Sequence, residues 1–343
     1  MPAHPERDLT VAVTGPTGTL GLSLIPLLQA DRRVTRIVGV ARRPFDPAAR
    51  GWTKMEYRRG DVRDAEALLG AFQHADVVVH LAFLLTGTES RAAIRSVNVG
   101  GTMNAFAAAT AAGARRFVYS SSIAAYGFHP DNPAGMTEQW PVRPAVSLFY
   151  AQQKAELEDL LRAEAGQPGR PALYLLRPAL VLGPHLVGAK ARVPGFLAPL
   201  TRQLTGRAGR LRLPLPVPVV PLQLQLVHED DVGQALLRCV VAAGPPGAYN
   251  IAADGIVTAA DVAREFGLHP LPLPAGPMQA AARAIAALPL LPPAVEWAEV
   301  AAHPAIMDTT RVRRELGWAP RFTAIEALRD TLRQGLELAQ PRR

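Results

Sequence analysis

Residues 9–30 read LTVAVTGPTGTLGLSLIPLLQA, and this stretch decides the fold. Leu9 to Thr14 is a short apolar, β-rich run that ends on Gly15. From Thr19 the apolar residues recur at helical spacing. Between the two, Gly15, Gly18 and Gly21 stand three apart, in the pattern G-x-x-G-x-x-G. Glycine lets a backbone turn sharply and come close to another group. A strand that ends on such a turn and opens a helix offers first-turn amides to an anion, so the stretch predicts a pyrophosphate-binding turn. Pro26 falls inside the helix, where its missing N–H predicts a kink.

The alternation continues outward. VTRIVGVA (34–41), MEYRRGDV (55–62), ADVVVHLA (75–82), RRFVYSSS (115–122) and ALYLLRPALV (172–181) read as strands. DAEALLGAFQ (64–73), a long run from about Ser90 to Ala112 and the segment around Tyr150 read as helices. Apolar strands separated by helices imply parallel strands covered on both faces, an α/β doubly wound sheet of Rossmann type. After Gly183 the texture changes to proline-interrupted apolar sequence, and QLVHEDDVGQALLRCV (225–240) and GAYNIA (247–252) return to strand and helix patterns. The expected organisation is a dinucleotide-binding domain over 1–183 and 222–252, a discontinuous substrate domain over 184–221 and 253–338, and a tail at 339–343.

Composition agrees with a globular protein rather than a disordered one: 343 residues, 49% hydrophobic and 19% charged. The net charge of +8 raises nucleic acid as a partner, but the arginine pairs Arg32-Arg33, Arg42-Arg43 and Arg115-Arg116 stand apart without interleaved aromatics. Neither nucleic acid nor a membrane is expected as partner; a small-molecule substrate is. Cys239, alone in an apolar helical run, reads as a core residue, and the histidines lack ligand spacing, so no metal is expected. The first strand begins near Leu9, leaving no room for a leader, and a cytoplasmic protein is expected.

The second strand ends on Ala41, Arg42 and Arg43, where a carboxylate would meet adenosine ribose hydroxyls. Arginine there suits a 2′-phosphate, which favours NADP over NAD. Asp61, at the next strand end, could accept from the adenine amino group, while Asp64 is the better helix N-cap.

In SLFYAQQKAELEDLL (147–161), Tyr150 and Lys154 are four apart and share a helix face. The chain has only three lysines, Lys54, Lys154 and Lys190, among 37 lysines and arginines. An ammonium beside a phenol pulls its pKa down towards working pH, so Tyr150 is expected to exchange a proton with a substrate oxygen during hydride transfer. Ser120, Ser121 and Ser122, at a strand end, are candidates to bond that oxygen.

Together these pieces resemble the extended short-chain dehydrogenase/reductase family, the NAD-dependent epimerase/dehydratase group. TGPTGTLG, GDVRD, VVVHLAF, VNVGGTMNAFAAA, YSSSIAAYG, YAQQK, LRPALVLGP, LVHEDDVGQAL, YNIA and RRELGWAPRFTAIEAL are similar to its segments in order. The resemblance implies Ser122, Tyr150 and Lys154 as catalytic residues. It implies cofactor contacts at Gly15, Thr17, Gly18, Thr19, Leu20 and Gly21, at Arg42, Asp61 and Val62, at Leu81, Ala82 and Asn98, and at Tyr150, Lys154 and Pro178. Asn98 is expected to brace its helix rather than relay protons, and His228 and Asp231 to link the two domains. Sugar dehydratases of the group carry an Asp-Glu pair after the catalytic hydroxyl; Ile123 and Ala124 stand there instead, which disfavours dehydration. The expected activity is NAD(P)-dependent oxidation or reduction at a secondary alcohol or ketone. The alternatives are a nucleotide-sugar epimerase working through a transient ketone and, outside enzymes, an NADP-binding regulator. A homodimer through the two long helices is usual in the family and is expected here.

Overall fold

The computed structural model describes residues 8–85, 90–185, 216–219, 221–272 and 303–338. The first half runs β1 (Leu9–Thr14), α1 (Thr19–Ala30), β2 (Val34–Ala41), β3 (Met55–Arg59), α2 (Ala65–Phe72) and β4 (Val77–His80). It continues through α3 (Arg91–Arg95), α4 (Gly101–Ala111), β5 (Arg116–Ser120), α5 (Phe149–Ala165) and β6 (Ala172–Pro178). Then come β7 (Leu180–Leu182), β8 (Pro216–Val219), β9 (Gln223–Leu224), β10 (Leu226–His228), α6 (Glu229–Val240) and β11 (Gly247–Ile251). The described chain ends with β12 (Val257–Thr258), α7 (Ala259–Glu265), β13 (His269–Pro272), α8 (Thr310–Leu316) and α9 (Ala324–Leu338).

Seven strands form one parallel sheet in the order β11-β6-β5-β4-β1-β2-β3. The chain winds outward from β1 to β3, then returns to the other side of β1 to lay down β4. The crevice between the carboxyl ends of β1 and β4 is therefore the topological switch point, where ligands of open α/β sheets bind.

Alternation along each strand builds the two cores. In β1, Leu9, Val11 and Val13 face a cluster with Leu24, Ile25 and Leu28 of α1 and Val232, Leu236 and Cys239 of α6. Ala12 faces the other side, with Phe72 of α2, Phe106 of α4 and Leu157 and Leu161 of α5. Cys239 is thus a core residue. Among the described residues, no helix is long and apolar enough to cross a membrane.

Three expected elements differ in detail. The run from Ser90 to Ala112 is α3 and α4 joined by a π-helical turn over Ser96–Gly100, which buries Val97, Asn98 and Val99 together. The stretch 172–181 splits at Ala179: its amide still bonds the carbonyl of Ile251, but that of Leu180 turns to Gln225 beside β10. The first helix runs through Pro26, which faces solvent.

About half of the expected substrate domain falls outside the described residues. Within it β8 pairs with β13, while β12 pairs with β9 of the 222–252 segment, and Ala253, Val257, Ala324 and Leu328 form a small apolar cluster with Leu226 of that segment. His228 stacks on Phe322 and bonds Asp330 of α9, and the Asp231 carboxylate accepts from the amides of Arg321 and Phe322. These two residues tie the main sheet to the last helix.

The glycine turn is held by close backbone approach. A Cβ on Gly21 would lie 2.5 Å from the carbonyl oxygens of Gly15 and Pro16, which cannot move without opening the turn. Gly21→Ala is expected to destabilise the fold by about 1–3 kcal/mol in urea unfolding. An unchanged midpoint would mean the turn relaxes freely and is not under this constraint.

Candidate active site

The site is built on strand ends. At the switch point Gly15 has φ +70°, and a Cβ there would lie 2.9 Å from the amide nitrogen of Ala82. Gly15 and Ala82, just past the ends of β1 and β4, therefore meet backbone to backbone, an approach that only glycine permits at position 15. Gly18 caps α1 with no side-chain acceptor for its first-turn amides, and that turn holds no acidic residue. A pyrophosphate fits these open N–H groups by charge and by hydrogen bonding.

The crevice wall is locked by His80, the last residue of β4. Its ring sits between Thr14, at 2.9 Å from Nδ1, and Thr102, at 3.0 Å from Nε2. The single Thr102 hydroxyl proton goes to the Asn98 carbonyl at 2.5 Å, so Nε2 must donate to Thr102. Nδ1 then accepts from Thr14, whose oxygen in turn accepts from the amides of Leu81 and Ala82. Burial pushes the His80 pKa down to about 3, which keeps the ring neutral as this bonding requires. Sequence reading missed His80; a lone histidine ending an apolar strand gives no signal of its partners.

Asn98, in the π-helical turn, accepts from the Leu84 amide at 2.8 Å. It donates to the Leu84 carbonyl at 3.0 Å and to Gln153 Oε1 at 2.9 Å. Both amide protons are used, so Asn98 braces the loop after β4 and has no side-chain donor left for a cofactor.

Ser122 and Tyr150 come together. Ser122 caps a short 3₁₀ turn, Ile123–Tyr126, by accepting from the Ala124 amide at 3.1 Å. Tyr150, in the first turn of α5, is hydrogen-bonded to Ser122, which draws its pKa down, but burial dominates and pushes it up to about 12. Lys154, one turn on, is 4% exposed. Its ammonium donates to the Ser120 carbonyl at 2.7 Å and the Tyr119 hydroxyl at 3.2 Å, and lies 3.7 Å from the centre of the Phe83 ring. Burial lowers its pKa to about 7, with Glu158 opposing.

This corrects one expectation. The spacing puts Tyr150 and Lys154 on one face, yet the ammonium is 5.8 Å from the Tyr150 ring centre and bonds the end of β5 instead. The phenol is therefore not acidified in this structure; its burial outweighs the effect of Ser122.

At the adenosine end, Arg42 is exposed just past β2. Asp61 is paired with Arg63, at 2.8 Å between Oδ2 and Nη2, and this holds its carboxyl below the usual range. Asp64 caps α2 by accepting from Ala67 at 3.0 Å. Val62 is buried against Gly101, and Pro178 ends β6.

Comparison with known proteins places this geometry. Residues 11–252 match the model of the NAD dependent epimerase/dehydratase family. An uncharacterized protein of Mycobacterium tuberculosis is 31% identical over 96% of this chain and 85% of its own length. Among solved structures, gox2253 superposes with a TM-score of 0.75 at 21% identity, covering 98% of this chain and 100% of that one. MoeE5 in complex with UDP-glucuronic acid and NAD superposes with a TM-score of 0.69 at 22% identity, covering 96% and 99%. At these identities the two structures show a shared fold. The family match extends over most of the chain and includes the glycine turn, Ser122, Tyr150 and Lys154. The chain belongs to the NAD dependent epimerase/dehydratase family.

Proposed function

We propose that the chain is an NAD(P)-dependent oxidoreductase acting at a secondary alcohol or ketone, with Tyr150 as the acid/base. The observation that carries this reading is the hydrogen-bonded Ser122–Tyr150 pair, with Lys154 one turn away, at the carboxyl edge of the sheet. The open amides of α1 would hold the pyrophosphate, and the exposed Arg42 would hold a 2′-phosphate, which favours NADP. Bound nicotinamide supplies or accepts the hydride.

The proton work belongs to the chain. Ser122 holds the substrate oxygen against the phenol. A phenol with a pKa of about 12 is protonated at neutral pH, so Tyr150 is set to donate to a carbonyl oxygen, the direction of reduction. Ser122 is buried and Tyr150 half-buried, which limits the access of bulk water to that proton. Ile123 and Ala124, directly after Ser122, offer no acid or base for eliminating water.

Three outcomes follow from these roles. Tyr150→Phe keeps cofactor binding and loses turnover by about 10²- to 10⁴-fold. The assay is nicotinamide absorbance over a panel of ketones, alcohols and nucleotide sugars, with product stereochemistry checked; undiminished turnover removes the phenol from the mechanism. Arg42→Ala weakens NADP about tenfold or more and leaves NAD unchanged in fluorescence titration, the loss of one charge-assisted contact. Equal losses for both cofactors would remove Arg42 from the 2′-phosphate site.

The third concerns Lys154. Its folded pKa of about 7 lies below the ordinary value of 10.5, so folding expels a proton between those limits. Stability linked to this group therefore rises with pH through that window, and the burial penalty is complete below it. Lys154→Met removes the penalty, so its Tm relative to wild type is higher at pH 6 than at pH 9. A Tm difference that does not change with pH would show that the ammonium is not held at a cost.

A further inference from the structure

Behind the site lies a second pair of charges that the proposed chemistry does not use. Glu158, two turns beyond Tyr150 on α5, is 0% exposed, and Arg177, near the end of β6, is 1% exposed. Their contact is a two-point fork: Arg177 Nε donates to Oε1 at 2.8 Å and Nη2 donates to Oε2. Arg177 Nη1 donates to the Tyr126 hydroxyl at 2.6 Å and to the Glu138 carbonyl at 3.2 Å. Tyr126 ends the 3₁₀ turn that begins at Ser122, and its hydroxyl donates to Asn250 Oδ1 at 2.8 Å. Asn250 Nδ2 in turn donates to the Met136 carbonyl at 2.9 Å.

Two tethers therefore lead from this pair to the reacting residues. One runs along α5 from Glu158 to Lys154, a single turn apart on the inward face. The other runs from Arg177 through Tyr126 to the turn that carries Ser122. A buried fork of this kind is geometrically specific but gives little net stability, so its place beside the site asks for another reason.

We propose that Glu158 and Arg177 are positioning residues for the reacting pair: the carboxylate is the counter-charge one turn behind Lys154, and the guanidinium anchors, through Tyr126, the turn that aims Ser122 at Tyr150. This rests on Tyr150 and Lys154 being the reacting pair. Around Lys154 stand Tyr119 of β5, Tyr150 and Glu158 of α5, and the neutral His80 of β4. Tyr119 is protonated, since burial pushes its pKa well above 10, so Glu158 is the one anion facing the ammonium among these groups. Burial works to raise Glu158, but the Arg177 fork, together with Arg162 one turn on at 3.2 Å from Oε2, outweighs it and keeps the carboxylate ionised. The Ser121 hydroxyl also faces this carboxylate, without forming a well-aligned hydrogen bond.

The test uses the full chain and needs no substrate. With only three lysines in the sequence, ¹³Cε-lysine gives three resonances, and Lys154 is assigned by its loss in Lys154→Met. In Glu158→Gln the Lys154 titration midpoint falls by about one unit or more, because a cation has lost its counter-charge. That variant leaves the Arg177 guanidinium buried and unpaired, so Glu158→Gln/Arg177→Met, which removes both charges, is read beside it. The double variant regains thermal stability and keeps the lowered midpoint, because the carboxylate is the group that acts on Lys154. Tyr126→Phe leaves the Lys154 midpoint in place but shifts the ¹³Cζ resonance of Tyr150, through the displaced Ser122. A wild-type Lys154 midpoint in the folded double variant overturns the counter-charge, and an unmoved Tyr150 resonance in Tyr126→Phe overturns the anchor. Turnover enters neither readout, so a wrong reaction and a wrong positioning pair give different results.

Discussion

Both faces of the sheet are largely apolar, and most of the polar side chains it buries are crowded at its carboxyl edge, where each must be met by another. Thr14, His80, Ser120, Arg177 and Asn250 are the last or next-to-last residues of β1, β4, β5, β6 and β11, and all five are buried. Their partners come from α4, α5 and the loops after β4 and β5. The result is a continuous layer of hydrogen bonds laid over an apolar slab. The site is the part of that layer where a hydroxyl and a phenol, Ser122 and Tyr150, have each other as partner.

That layer explains why Tyr150 and Lys154 carry unusual protonation. A phenol whose burial outweighs its Ser122 partner keeps its proton; an ammonium with a carbonyl, a phenol and an aromatic face is held close to losing its own. Helical spacing alone would let Lys154 reach Tyr150, but a four-carbon stem can swing to either side. The free carbonyl at the end of β5 is the stronger acceptor, and the ammonium goes there. The layer thus sets the starting charges before any ligand arrives.

The doubly wound sheet was legible because its evidence is local: apolar runs of strand length, helical periodicity between them, and a glycine turn in the right place. Tyr150 and Lys154 were legible for the same reason, being one turn apart on one helix. What sequence could not show is which strand ends meet. His80 lies between Thr14 and Thr102, and Glu158 under Arg177, across separations of many residues, and no spacing rule links them. The π-helical turn at Asn98 was hidden too, because an extra residue in a helix turn leaves the apolar periodicity on either side intact. Of the predicted substrate domain, about half lies outside the described residues, and the described half frames the main sheet.

The scarcity of lysine gains a physical meaning from the buried Arg177 and Lys154. Arginine has five N–H donors in a rigid fork and does not lose its charge, so deep burial favours a site where that fork is filled. Arg177 meets this condition: Glu158 takes two of its nitrogens, and Tyr126 and the Glu138 carbonyl take the third. At position 154 no carboxylate touches the ammonium among the described residues; it meets the Ser120 carbonyl, the Tyr119 hydroxyl and the faces of the Phe83 and Tyr119 rings. Five donors could not be satisfied there, and a permanent charge could not be shed, whereas a lysine needs fewer partners and gives up its proton near pH 7. A chain that puts arginine at nearly every basic position keeps a lysine where the surroundings exclude arginine.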